Sequence, residues 1–65
     1  MPNPILEDIA RDIKSIEGDI ASARDLIDAM REAGEDVTDL ESDLSELEIK
    51  KERWVRMLKG RGIEV

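Results

Sequence analysis

Residues 30–41, Met30-Arg31-Glu32-Ala33-Gly34-Glu35-Asp36-Val37-Thr38-Asp39-Leu40-Glu41, decide the fold. A helical pattern runs up to Ala33 and a second begins at Thr38. Between them stands Gly34, a residue free to take the left-handed conformation that closes a helix. Thr38 with Glu41 three residues on reads as a capping box for the second helix. Glu35, Asp36 and Val37 alone remain to join the two, and a connection so short predicts antiparallel neighbours.

Toward the amino end the aliphatic residues recur at intervals of three and four: Leu6, Ile9, Ile13, Ile16, Ile20, Ala23, Ile27 and Met30. This is the a/d spacing of a coiled coil, with Leu6 at position a and Ile9 at d. Asn3-Pro4 is a helix start with a mechanism: Asn accepts bonds from orphan backbone donors, and Pro at the first helical position lacks an N–H that would go unpaired. Toward the carboxyl end the spacing returns in Val37, Leu40, Leu44, Leu47, Lys51, Trp54 and Leu58, and Gly60 and Gly62 mark its end. The chain thus reads as one all-α unit over residues 1–65. It is a two-helix antiparallel coiled-coil hairpin with a helix over 4–33, a turn over 34–37, a helix over 38–59 and a short tail over 60–65.

Folding at Gly34 pairs Met30 with Leu40, Ala23 with Leu47, Ile16 with Trp54 and Ile13 with Leu58. The flanking positions then oppose Arg31 to Glu41, Arg24 to Glu48 and Asp19 to Lys50, all attractive pairs of the kind that set orientation in coiled coils. Each exposed pair contributes only about 0 to 1 kcal/mol. Their common sign therefore says more about register than about stability.

At 65 residues a lone core stabilises weakly, so self-association or a partner is expected. The chain has no cysteine or histidine, which removes disulfide and zinc staples. Missing cysteine suits a reducing cytoplasm. After Met1-Pro2-Asn3-Pro4 comes a charged amphipathic run, so neither a signal peptide nor a membrane span is expected. Charged residues make up 42% of the chain; the regular aliphatic spacing argues for exposed helices over disorder.

Lys51 falls at an a position opposite Ile20, where its stem must carry the ammonium outward or its charge must specify register. Trp54, the only aromatic residue, reads as a core anchor or as an interface anchor. Apolar residues gather where the two chain ends meet: Ile5, Leu6, Ile9, Ala10, Trp54, Val55, Met57 and Leu58. Two helices are not expected to cover all of these, and Ile5, Leu6, Ile9, Trp54, Val55, Met57 and Leu58 form a candidate association face for a second copy completing a four-helix bundle. Leu26 and Ile49 are isolated apolar outliers. Gly18 interrupts the first helix at an outward position.

Charge is sorted along the second helix. Residues 35–48 carry seven acids, Glu35, Asp36, Asp39, Glu41, Asp43, Glu46 and Glu48, and no base. Residues 50–61 carry Lys50, Lys51, Arg53, Arg56, Lys59 and Arg61 against Glu52. The helix dipole favours this order of signs.

Catalysis finds no footing. Histidine and cysteine are absent, and Ser15, Ser22, Ser42 and Ser45 sit on polar faces without an oriented base. Glu-x-x-His pairs for a di-iron site and the loop glycine of an EF-hand are missing. No enzyme, cofactor, metal or small-molecule substrate is therefore expected.

Three functional readings follow. The first is a protein–protein interaction module that forms a homodimer or docks on another protein. The second is an acidic inhibitor, with Glu35, Asp36, Asp39, Glu41, Asp43 and Glu46 covering a basic or nucleic-acid-binding surface. Short acidic chains are a common format among phage-encoded inhibitors, though no motif here marks one. The third uses a basic stripe of Lys50, Arg53, Arg56 and Lys59 on nucleic acid, an arrangement similar in architecture alone to the RNA-binding hairpins of the Rop type. A net charge of −7 and the nearby Glu7, Asp8 and Asp12 weigh against it.

Overall fold

The computed structural model describes residues 3–65; Met1 and Pro2, at the head of the opening segment, lie outside the described residues. Helix α1 runs over Pro4–Glu32 and helix α2 over Thr38–Gly60, and the two pack against each other. No strand occurs among the described residues. The molecule is a rod of 51 × 15 × 13 Å. Among the described residues no helix is long and apolar enough to cross a membrane.

The amino cap forms from the residues that announce it. Asn3 is extended, and its side-chain oxygen accepts from the N–H groups of Ile5 at 3.0 Å and Leu6 at 3.4 Å, with Pro4 behind it. At the other end of α1, Gly34 has φ of 86°. There its N–H donates to the Arg31 carbonyl at 3.0 Å and that of Glu35 to the Met30 carbonyl at 2.9 Å. This is a Schellman closure, and it ends α1 at Glu32, one residue short of the expected boundary.

The second helix starts differently from its sequence signature. Val37 is the N-cap and no side chain caps from that position, so Thr38 and Glu41 do not form a capping box. Asp36 acts instead: its carboxylate accepts from the Thr38 N–H at 3.0 Å and the Thr38 hydroxyl at 2.7 Å. An acceptor two residues upstream satisfies the orphan donor and occupies the threonine hydroxyl at once. These bonds, the backbone one foremost, hold the Asp36 carboxyl below its ordinary value of 3.8.

The carboxyl terminus departs further from expectation. Helix α2 runs through Gly60, and Gly62, with φ of 81°, repeats the Schellman closure. Its N–H reaches the Lys59 carbonyl and the Ile63 N–H the Leu58 carbonyl, both at 3.0 Å. Residues 60–65 are thus no free tail. Ile63 and Val65 fold back onto the cluster of Ala10, Ile13 and Leu58, as the apolar contact that accompanies this motif requires.

The core follows one row on each helix. Ala10, Ile13, Ile20, Ile27, Val37 and Leu58 are buried, and Leu58 is fully enclosed at 0% exposure. Ile13, Ile20 and Ile27 are a positions; Leu44, Lys51 and Leu58 answer them on α2, with Glu48 and Val55 half-buried between. The d positions of α2 do not join this core. Leu40 and Leu47 are 42% exposed and Trp54 is 45% exposed. Ile9, Ile16, Ala23 and Met30, the d positions of α1, are only half-buried.

The facing layers expected for Met30, Ala23 and Ile16 are therefore half open. A pair of helices can enclose about one row and a flank from each partner. Here the e flank prevails over d. It brings Arg24 to Glu48 and Arg31 to Glu41, and at the open end it contributes Ala10 to the buried cluster and Val55 to the residues packed against that cluster. Trp54 is too large for two helices to surround.

Candidate docking surface

Helix periodicity fixes what lies on each side of the hairpin. With the a rows between the helices, both e rows fall on one side and both d rows on the other. The e side is polar. Arg24–Glu48 and Arg31–Glu41 bridge the helices there, and the Lys51 ammonium sits 3.9 Å from Glu17 and 3.1 Å from Glu52. A shallow groove on this side is lined by Glu17, Arg24, Glu48 and Lys51. Asp19 and Lys50, expected to pair, show no ion pair within 4.0 Å among the described residues. As g positions they flank the opposite side.

The d side is apolar along most of the rod. Ile9, Ile16, Ala23 and Met30 of α1 run beside Leu40, Leu47 and Trp54 of α2, all part or half open to solvent. A shallow hollow opens between Arg53, Trp54 and Met57. Leu26, 60% exposed, stands beside this row at a g position. Asp12, Asp19, Asp43 and Lys50 rim it.

The association face read at the open end is only partly available. Leu58 is fully buried, and Leu6, Ile9, Val55 and Met57 pack against its cluster together with Ile63 and Val65. Ile5 remains 70% exposed, and Trp54 is open on the d side. Leu58 is thus a core residue and not part of a face. The carboxyl-terminal segment, through Ile63 and Val65, packs against this end. The heptad spacing alone places the open d stripe in the internal seam. A clue was present: Arg24–Glu48 and Arg31–Glu41 share one flank, and a hairpin leaning toward that flank must expose the other.

The six acids read as a partner surface do not converge. Asp36 is occupied by Thr38 and Glu41 by Arg31, while Glu35, Asp39, Asp43 and Glu46 are exposed. Lys50, Arg53, Arg56 and Lys59 are exposed but spread across the outward b, c, f and g positions of α2. Charge divides unevenly along the rod. Residues 19–51, the half containing the turn, hold eleven acids and four bases, a formal −7; the other half holds six of each. The bases therefore produce no positive excess, which a nucleic-acid footprint requires.

Among the described residues no three potential metal-ligating side chains gather. Comparison with protein-family models, curated proteins and solved structures returns no match.

Proposed function

We propose that this chain is a non-enzymatic protein–protein interaction module that buries its d-side stripe against the helices of a partner or of a second copy. One observation carries the reading: seven apolar d positions lie in register along one face of a two-helix rod, with Leu40, Leu47 and Trp54 exposed and Ile9, Ile16, Ala23 and Met30 half-buried beside them. Apolar rows with coiled-coil spacing are covered by helices of the same spacing. Self-association into a four-helix bundle is the simplest form of such cover. A reducing cytoplasm suits a chain with no cysteine.

The test is capture by the immobilised chain. Leu40→Glu with Leu47→Glu is expected to abolish capture while circular dichroism shows retained helicity, and Ile49→Glu, on the outward face, is expected to leave capture intact. Undiminished capture by the double variant would refute the reading.

The charge on the turn half supports a second reading, that of an acidic inhibitor, because the whole net charge of −7 lies there. A basic surface, including one that holds nucleic acid, would be its partner. Reversing the four exposed acids Glu35, Asp39, Asp43 and Glu46 to lysine would then abolish capture and leave self-association in place. Capture that survives the reversal removes this reading.

A further inference from the structure

We infer that the occupant of the d-side stripe is a second copy of this chain, packed with its turn against the open end of the first. The inference rests on the interaction-module reading and adds to it the identity and direction of the partner.

Surface area is the first support. The hairpin exposes 5151 Å², whereas a folded monomer of its 7.4 kDa would expose roughly 4,200 Å². The excess, about 950 Å², is of the order of the ~800 Å² that each partner contributes to an interface of standard size.

Side-chain volume supplies the direction. Along the stripe a bulky level, Ile16 with Trp54, alternates with a lean level, Ala23 with Leu47. If two copies packed with turns together, bulky would meet bulky and lean would meet lean. Packed in opposite directions about a two-fold axis near Ile20, each Ala23–Leu47 level faces an Ile16–Trp54 level, and Met30 faces Ile9. Even filling of successive layers is what close-packed interiors demand.

Charge agrees with volume. Turn against turn would bring a formal −7 onto −7, whereas the opposed arrangement sets each acidic half on the half with six acids and six bases. In that arrangement Asp19 meets its own copy at one edge and Lys50 meets its copy at the other. Both pairs face solvent, where salt screens them.

The chain has no cysteine, so Glu35→Cys carries a single spin label at the turn. Any dipolar signal then comes from two molecules. The expected result is a mass of two chains by sedimentation equilibrium and a label separation approaching the 51 Å length of the rod. A separation near its 15 Å width would mean turns together and would overturn the inference, as would any assembly larger than two. A single-chain mass up to the highest concentration reached would also overturn it; if stripe-dependent capture of another protein persisted, the module reading alone would survive. Leu47→Glu is expected to return the chain to one-chain mass with helicity retained. A dimer that tolerates this change would refute the assignment of the stripe.

Discussion

At the scale of single residues, the hairpin depends on two short stretches of backbone chemistry. Gly34 holds φ of 86°, and a Cβ placed there would meet nothing within 4 Å. Its requirement is therefore conformational and not steric. Gly34→Ala is expected to lower stability by about 1 to 2 kcal/mol, the cost of a left-handed L-residue, and a D-alanine at the same position to lower it not at all. Denaturant titration of the two proteins measures the difference. Asp36, bonded to Thr38, lies below its ordinary 3.8. Because its native value is depressed, its contribution is present above pH 3.8 and is lost as pH falls through the lowered value. The melting difference between the parent chain and Asp36→Ala should shrink over that acid range and be constant near neutrality.

At the scale of the helices, stability and specificity come from different rows. The a row is apolar except at Lys51, whose side chain is 17% exposed and whose ammonium stands near Glu17 and Glu52. A mostly buried charge with partial pairing is a poor stabiliser, so Lys51→Met is expected to raise the unfolding midpoint, with a gain of about 1 kcal/mol. Leu58→Ala should remove about 2 to 5 kcal/mol, since Leu58 is the one fully enclosed side chain among the described residues. Gly18 faces open space, and Gly18→Ala should add about 1 kcal/mol through helix propensity alone. Thermal unfolding followed by circular dichroism ranks the three.

Much of this scale was legible in the residues. Asn3-Pro4, Gly34 and the three-four spacing each act through local backbone chemistry, and Arg24–Glu48 and Arg31–Glu41 formed as the spacing implied. The capping box that Thr38 and Glu41 suggest does not form because Asp36 accepts from Thr38 instead, and local pattern does not rank competing acceptors. The burial of Ile63 and Val65 depends on Gly62 turning the chain back onto Leu58. The candidate face was legible as composition but not as position. Heptad letters say which residues are apolar; the lean of two helices toward d or e is a tertiary choice among Ala10, Val55, Trp54 and the flanking charges.

At the scale of the whole molecule, a rod of 51 × 15 × 13 Å leaves one long side clad in apolar side chains and the other in ion pairs. The central claim is that the apolar side stands open in the lone chain and closes on docking. Trp54, 45% exposed and the chain's one tryptophan, reports on that side directly. The decisive measurement is its fluorescence emission across a dilution series, read beside the sedimentation mass. The expected result is emission at longer wavelength in the dilute single chain, moving to shorter wavelength as the mass doubles. Short-wavelength emission that holds unchanged down to the single chain would place Trp54 inside the lone hairpin and contradict the account.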